Sequence, residues 1–191
     1  MKKMSLVKRS VITAVCIALC YVLPLLFHAL NIGSVFSPMH IPVLLCGLIC
    51  GGGYGALCGI AGPVLSCLLS GMPAAVKLIY FIPELAVYGL IAGIMMKFIR
   101  TGKLLPDLYI SLTIAMVAGR IIGGIAQALF YVGLGESFTV AAIATGYFVT
   151  TLPGIICHLI LIPILVTVLM KSRLIPNRYS KGENNEKEKC D

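Results

Sequence analysis

Glu84, Arg120 and His158 stand inside otherwise lipid-like stretches of this chain. Between them they supply an anion, a permanent cation with a planar donor fork, and a ring that both donates and accepts. Glu84 lies 13 residues before Lys97, Arg120 lies 13 after Asp107, and His158 lies 13 before Lys171. At about 1.5 Å of rise per helical residue, each sits roughly 20 Å from the membrane face that those markers define. A charge at such depth costs several kcal/mol unless it meets another group, water or a ligand. Three of them on separate segments at one level predict a polar pocket nearer the opposite face.

Their neighbours extend the pattern. Tyr80, Glu84 and Tyr88 are spaced i, i+4 and share a helix face, while Pro83 removes a backbone donor and favours a bend. Arg120 and Gln127 are seven apart, again on one face, which Tyr131 continues. His158 follows the Pro153-Gly154 pair by one turn. A plainer reading is a Glu84–Arg120 ion pair that only fixes packing, although desolvation makes a buried pair an inefficient stabiliser. His158 then merely bonds a neighbouring helix. His28 and His40 fall near the external face and are minor candidates for binding. Lys77 reads as a snorkelling interfacial residue.

These residues must be positioned by membrane helices. The chain has 191 residues, 59% of them hydrophobic and 12% charged, with mean hydropathy +1.02. A soluble domain carries about 25% charged residues. No Lys, Arg, Asp or Glu occurs from Ser10 to Val76, far more than the roughly 20 apolar residues that cross a bilayer. The first apolar run, Val11 to Leu30, is longer than a signal-peptide core and lacks a small-x-small cleavage site.

Six membrane segments are expected, at about Val7–Leu30, Met39–Cys50, Tyr54–Leu69, Val76–Phe98, Leu108–Tyr131 and Tyr147–Met170. The fold class is therefore an all-α integral membrane protein with six transmembrane helices. Thirteen of the 15 cations fall at the amino end, in the 4–5 loop and at the carboxyl end. Short basic loops stay cytoplasmic, so an even count with both termini inside satisfies all three clusters. The net charge of +8 is thus a topology signal, and no nucleic-acid partner is expected. External loops follow at Asn31–Pro38, Ser70–Ala75 and Val132–Gly146. Residues 1–172 form the membrane domain, and 173–191 read as a disordered cytoplasmic tail, polar and without apolar periodicity.

Segments one to three carry no acidic residue and are rich in small residues. Ala14-x-x-x-Ala18 and Gly55-x-x-x-Gly59 are small-xxx-small pairs suited to helix contact. One half of the molecule reads as a docking surface and the other as a pocket. Seven of the eight cysteines lie in apolar segments. Cys16/Cys20 and Cys46/Cys50 share helix faces, but no C-x-x-C pair or adjacent histidine supports a metal or redox site, so they read as packing residues and no cofactor is expected.

With these features the chain resembles the substrate-binding S component of energy-coupling factor (ECF) vitamin transporters. The resemblance covers about residues 5–172. It rests on length, six segments, Ala14-Val15-Cys16-Ile17-Ala18, the run Ser37-Pro38-Met39-His40-Ile41-Pro42-Val43-Leu44, Gly51-Gly52-Gly53-Tyr54-Gly55, and Gly71-Met72-Pro73. It implies a bacterial plasma-membrane protein in which helices four to six and the external loops, Asn31 included, enclose one water-soluble nutrient. It further implies that helices one to three face a transmembrane coupling subunit energised by two ATPases, with Ala14, Ala18, Gly55 and Gly59 at the interface. No G-x-x-x-x-G-K-[ST] loop is present, so ATP hydrolysis is not expected of this chain.

Arg120 offers a fork for a carboxylate or phosphate, and Glu84, His158, Gln127 and the tyrosines can bind hydroxyls or amides. That set favours an anionic, hydroxylated ligand such as pantothenate, with riboflavin, folate or a hydroxymethylpyrimidine as alternatives. The anion argument fails if Glu84 neutralises Arg120. An intramembrane enzyme is the rival class, but H-E-x-x-H and G-x-S-x-G are both absent. A structural subunit is the third reading.

Overall fold

The computed structural model describes residues 4–29, 38–133 and 152–172. Among them are six helices and no strand: α1 (Leu6–Ala29), α2 (His40–Cys50), α3 (Gly52–Ser70), α4 (Ala75–Phe98), α5 (Leu104–Gly133) and α6 (Leu152–Lys171). Five are long and apolar enough to cross a membrane. Their outward side chains are apolar, among them Val11, Leu26, Leu57, Leu68, Ile79, Ile121, Leu129 and Ile160. The chain is a multi-pass membrane protein whose described elements are all helices. Asn31, most of the first and third expected loops, and the tail from 173 onward lie outside the described residues.

α2 is different. Its 11 residues reach only about 16 Å, half a hydrocarbon core. Ten of them are buried. It packs against α1, α3, α4 and α6, so it occupies the middle of the bundle rather than its rim. Val43, Leu44, Cys46 and Leu48 give it apolar contact on every side. A helix that is hydrophobic all round is stable only in such a place.

Glycine sets how closely its neighbours approach. A Cβ on Gly89 of α4 would lie 2.8 Å from Gly55 Cα of α3, and one on Gly93 would lie 2.6 Å from Gly47 O of α2. Three helices thus meet backbone to backbone, which also draws the Glu84 face of α4 toward the start of α2. Gly89→Val is expected to cost about 3 kcal/mol or more through overpacking against immovable backbone. It should abolish the monodisperse peak in size-exclusion chromatography. Gly124→Ala, where an added Cβ meets nothing within 4 Å, should leave that peak unchanged.

This seam corrects the docking assignment of Gly55 and Gly59. Both are buried, and a Cβ on Gly59 would stand 2.7 Å from Ala86 N of α4. Their small size serves the internal α3–α4 contact, so they present nothing to a partner. Ala14 and Ala18, by contrast, lie exposed on the outer face of α1.

The turns are local in origin. Gly51, at φ 102°, joins α2 to α3, and α3 resumes at Gly52, earlier than the expected Tyr54. α5 begins at Leu104, also earlier than expected, because Asp107 braces the preceding turn. Its Oδ1 accepts from Thr101 N at 2.9 Å and from Thr101 Oγ1 at 2.7 Å. Cys50 Sγ lies 3.7 Å from Arg9 O, and Gly93 abuts Gly51 and Gly52. Lys8 and Arg9 therefore share one end of the bundle with Lys97, Arg100 and Lys103.

Candidate functional site

Glu84, Arg120 and His158 come from α4, α5 and α6 and are all sealed from the surface, at 1%, 5% and 1% exposure. Glu84 Oε1 lies 3.8 Å from an Arg120 terminal nitrogen and 3.5 Å from His40 Nε2. His40, the first residue of α2, is the hub. Its ring stacks on His158 with centroids 5.7 Å apart, and meets Tyr88 and Phe81 edge-on at 5.0 and 5.8 Å. Four helices thus deliver one polar cluster to a single buried spot.

The i, i+4 spacing in α4 explains three of these positions. Tyr88, Glu84 and Tyr80 are all buried on the inward face. Gly119 of α5 lets Tyr88 in, since a Cβ there would stand 2.7 Å from the Tyr88 ring. The Tyr88 hydroxyl is wholly buried against Glu84 and Arg120. The Gln127 side-chain oxygen is buried without a hydrogen-bond partner among the described residues. A buried polar atom left unsatisfied costs about 1–3 kcal/mol, so such atoms mark places where a ligand is welcome.

Tyr80 belongs to a second group. Its ring lies 6.2 Å from Phe130, which meets Tyr131 at 5.8 Å. Gln127 sits on α5 between this aromatic group and Arg120. The site therefore has a charged end at Arg120 and an aromatic end at Phe130 and Tyr131, separated by about 15 Å along α5.

His40 was undervalued by sequence reasoning, which ranked it low because it follows a loop expected outside. The usable signal was the shortness of Met39–Cys50. A segment of half length that starts with histidine begins at mid-depth, level with Glu84.

A second cluster joins α1, α2 and α3. Cys46 neighbours Cys16, Cys50 and Cys58, with its Sγ 3.5 Å from Thr13 Oγ1. All are reduced and buried. Among the described residues no group of three or more His, Cys, Asp or Glu side chains is arranged to hold a metal ion.

Residues 8–166 match the family described as ECF transporter, substrate-specific component. The chain belongs to that family. No curated protein and no solved structure matches it at a significant level. As a substrate-specific component, the chain serves transport, and its polar cluster lies within an apolar-skinned helical bundle that suits such a subunit.

Proposed function

We propose that this substrate-specific component captures one small water-soluble vitamin or vitamin precursor outside a bacterial plasma membrane. It then passes the ligand inward with a transmembrane coupling subunit and two ATPase subunits. Both termini and the basic clusters are cytoplasmic in this reading, and α2 completes a sixth, partial crossing. The observation that carries it is the convergence of Glu84, Tyr88, Arg120, His158 and His40 in one buried cluster. A set this polar is too costly in a membrane core to be explained by packing alone.

Glu84, Arg120, His158 and Tyr88 bind the inner end of the ligand; Gln127, Tyr80 and Tyr131 bind its outer end, and Asn31 belongs to the loop that closes over it. Ala14 and Ala18 on the exposed face of α1 meet the coupling subunit. Pantothenate remains the leading ligand, and riboflavin, folate or a hydroxymethylpyrimidine are the alternatives. Glu84 beside Arg120 means that Arg120 alone does not argue for an anion; other positive character is needed.

Mass spectrometry of the small molecules that co-purify with the full chain in mild detergent tests the reading. One vitamin-sized compound near one equivalent is expected. Recovery of none, together with no thermal shift from any vitamin offered, would show a structural subunit instead.

A further inference from the structure

Beyond ligand capture, and independent of it, we infer that Lys8, Arg9, Lys97 and Lys103 form a binding surface for an anionic phospholipid, whose phosphodiester headgroup they hold.

Three stretches far apart in sequence meet at this end of the bundle. Arg9 O of α1 lies 3.7 Å from Cys50 Sγ, at the end of α2. Gly93 of α4 abuts Gly51 and Gly52, just beyond Cys50. Lys97 follows Gly93 by one turn on the same helix face. Lys103 stands in the short turn between α4 and α5.

The described structure offers these cations no counter-charge. Its only two acidic side chains, Glu84 and Asp107, are both buried. Glu84 belongs to the polar cluster, and Asp107 accepts from Thr101. Lys8, Arg9, Lys97 and Lys103 make no ion pair with any described residue. Arg9 is the informative one. It is half-buried, and its Nε is wholly enclosed without a hydrogen-bond partner among the described residues. An enclosed guanidinium donor with no acceptor calls for an oxyanion, and its planar fork matches a phosphate. Membrane orientation requires only that cations lie at one end. It does not require that they gather around one turn without a counter-ion.

The surroundings select a lipid over a soluble anion. Leu6 and Val7 precede Lys8 and Arg9, Phe98 follows Lys97, and Leu105 lies two residues past Lys103; all four are exposed. Apolar side chains at the level of the cations suit the boundary where acyl chains meet headgroups. A basic patch at that boundary attracts anionic headgroups, by roughly fivefold in affinity per cation.

The test exchanges the full chain, purified in neutral detergent, into an equimolar mixture of phosphatidylglycerol and phosphatidylcholine. After repurification, the retained lipid is measured by mass spectrometry. Phosphatidylglycerol should be retained roughly tenfold over phosphatidylcholine. Arg9→Gln should lower that preference about fivefold. Lys77→Gln removes an exposed cation at the other end of α4 and should leave the preference unchanged. Where Arg9→Gln does not fold, Lys97→Gln with Lys103→Gln, both at exposed positions, should give the same loss.

Equal retention of the two lipids overturns the inference. So does an equal loss from Lys77→Gln, which would reduce the preference to net charge. Thermal stabilisation by millimolar glycerol 3-phosphate equal to that by phosphatidylglycerol overturns it in favour of a soluble anion. Unselective retention, with assembly onto the coupling subunit lost in Arg9→Gln, reassigns the surface to an acidic protein partner. Ligand capture stands or falls separately, since none of these substitutions touches the buried cluster.

Discussion

Arg120→Ala is expected to lower ligand affinity tenfold or more in a calorimetric titration. Arg120 supplies the only permanent cation among the clustered side chains, and a charge-assisted bond to a buried ligand is worth about 1.5–3 kcal/mol. The same substitution strips Glu84 of the permanent counter-charge 3.8 Å away, and a broken buried pair costs about 3–5 kcal/mol of stability. Binding and folding must therefore be separated. Glu84→Gln combined with Arg120→Gln removes both charges and should restore thermal stability toward that of the unaltered chain, while binding stays weak. Recovery of binding in the double variant would mean that the pair only holds α4 to α5.

The second large effect lies on the opposite side of the molecule. Ala14→Trp with Ala18→Trp should abolish uptake in cells that supply the coupling and ATPase subunits. Ligand affinity of the isolated chain should stay within about twofold. Both alanines are exposed on α1, on a different side of that helix from Cys16 and Cys20, which are buried against the core. A bulky ring there meets no atom of this chain's core but blocks close helix approach by a partner. Lost binding in the isolated chain would place that face inside the bundle. Intact uptake would show that α1 is not the docking face.

The contrast between these alanines and Gly55/Gly59 shows where the sequence runs out. Both are small-xxx-small pairs, and both license close packing. Nothing in the spacing says whether the approaching surface belongs to the same chain. For Gly55 and Gly59 it does: Gly89, Leu85 and Ala86 of α4 fill the space. That outcome depends on which helices lie adjacent, a property of the whole bundle.

The cysteines run the other way. Their reading as small packing residues needed no coordinates, because no ligand spacing accompanied them. The arrangement agrees in kind: Cys46 sits among three other thiols, and Cys20 fills the space beside Gly62, where a Cβ would stand 2.8 Å from its sulfur.

Composition and helical spacing sufficed for the membrane class and for the helices. These follow from hydrophobicity and from a fixed rise per residue, both local quantities. Residue types along one helix face likewise identified Tyr80 and Tyr88 with Glu84. The partner of each charge did not follow. That His40 bridges Glu84 and His158, and that the short α2 ends beside them, depends on which helix occupies the centre. Glycine contacts between α2, α3 and α4 decide that in three dimensions, because close packing is a relation between distant segments and leaves no periodic trace in any one of them.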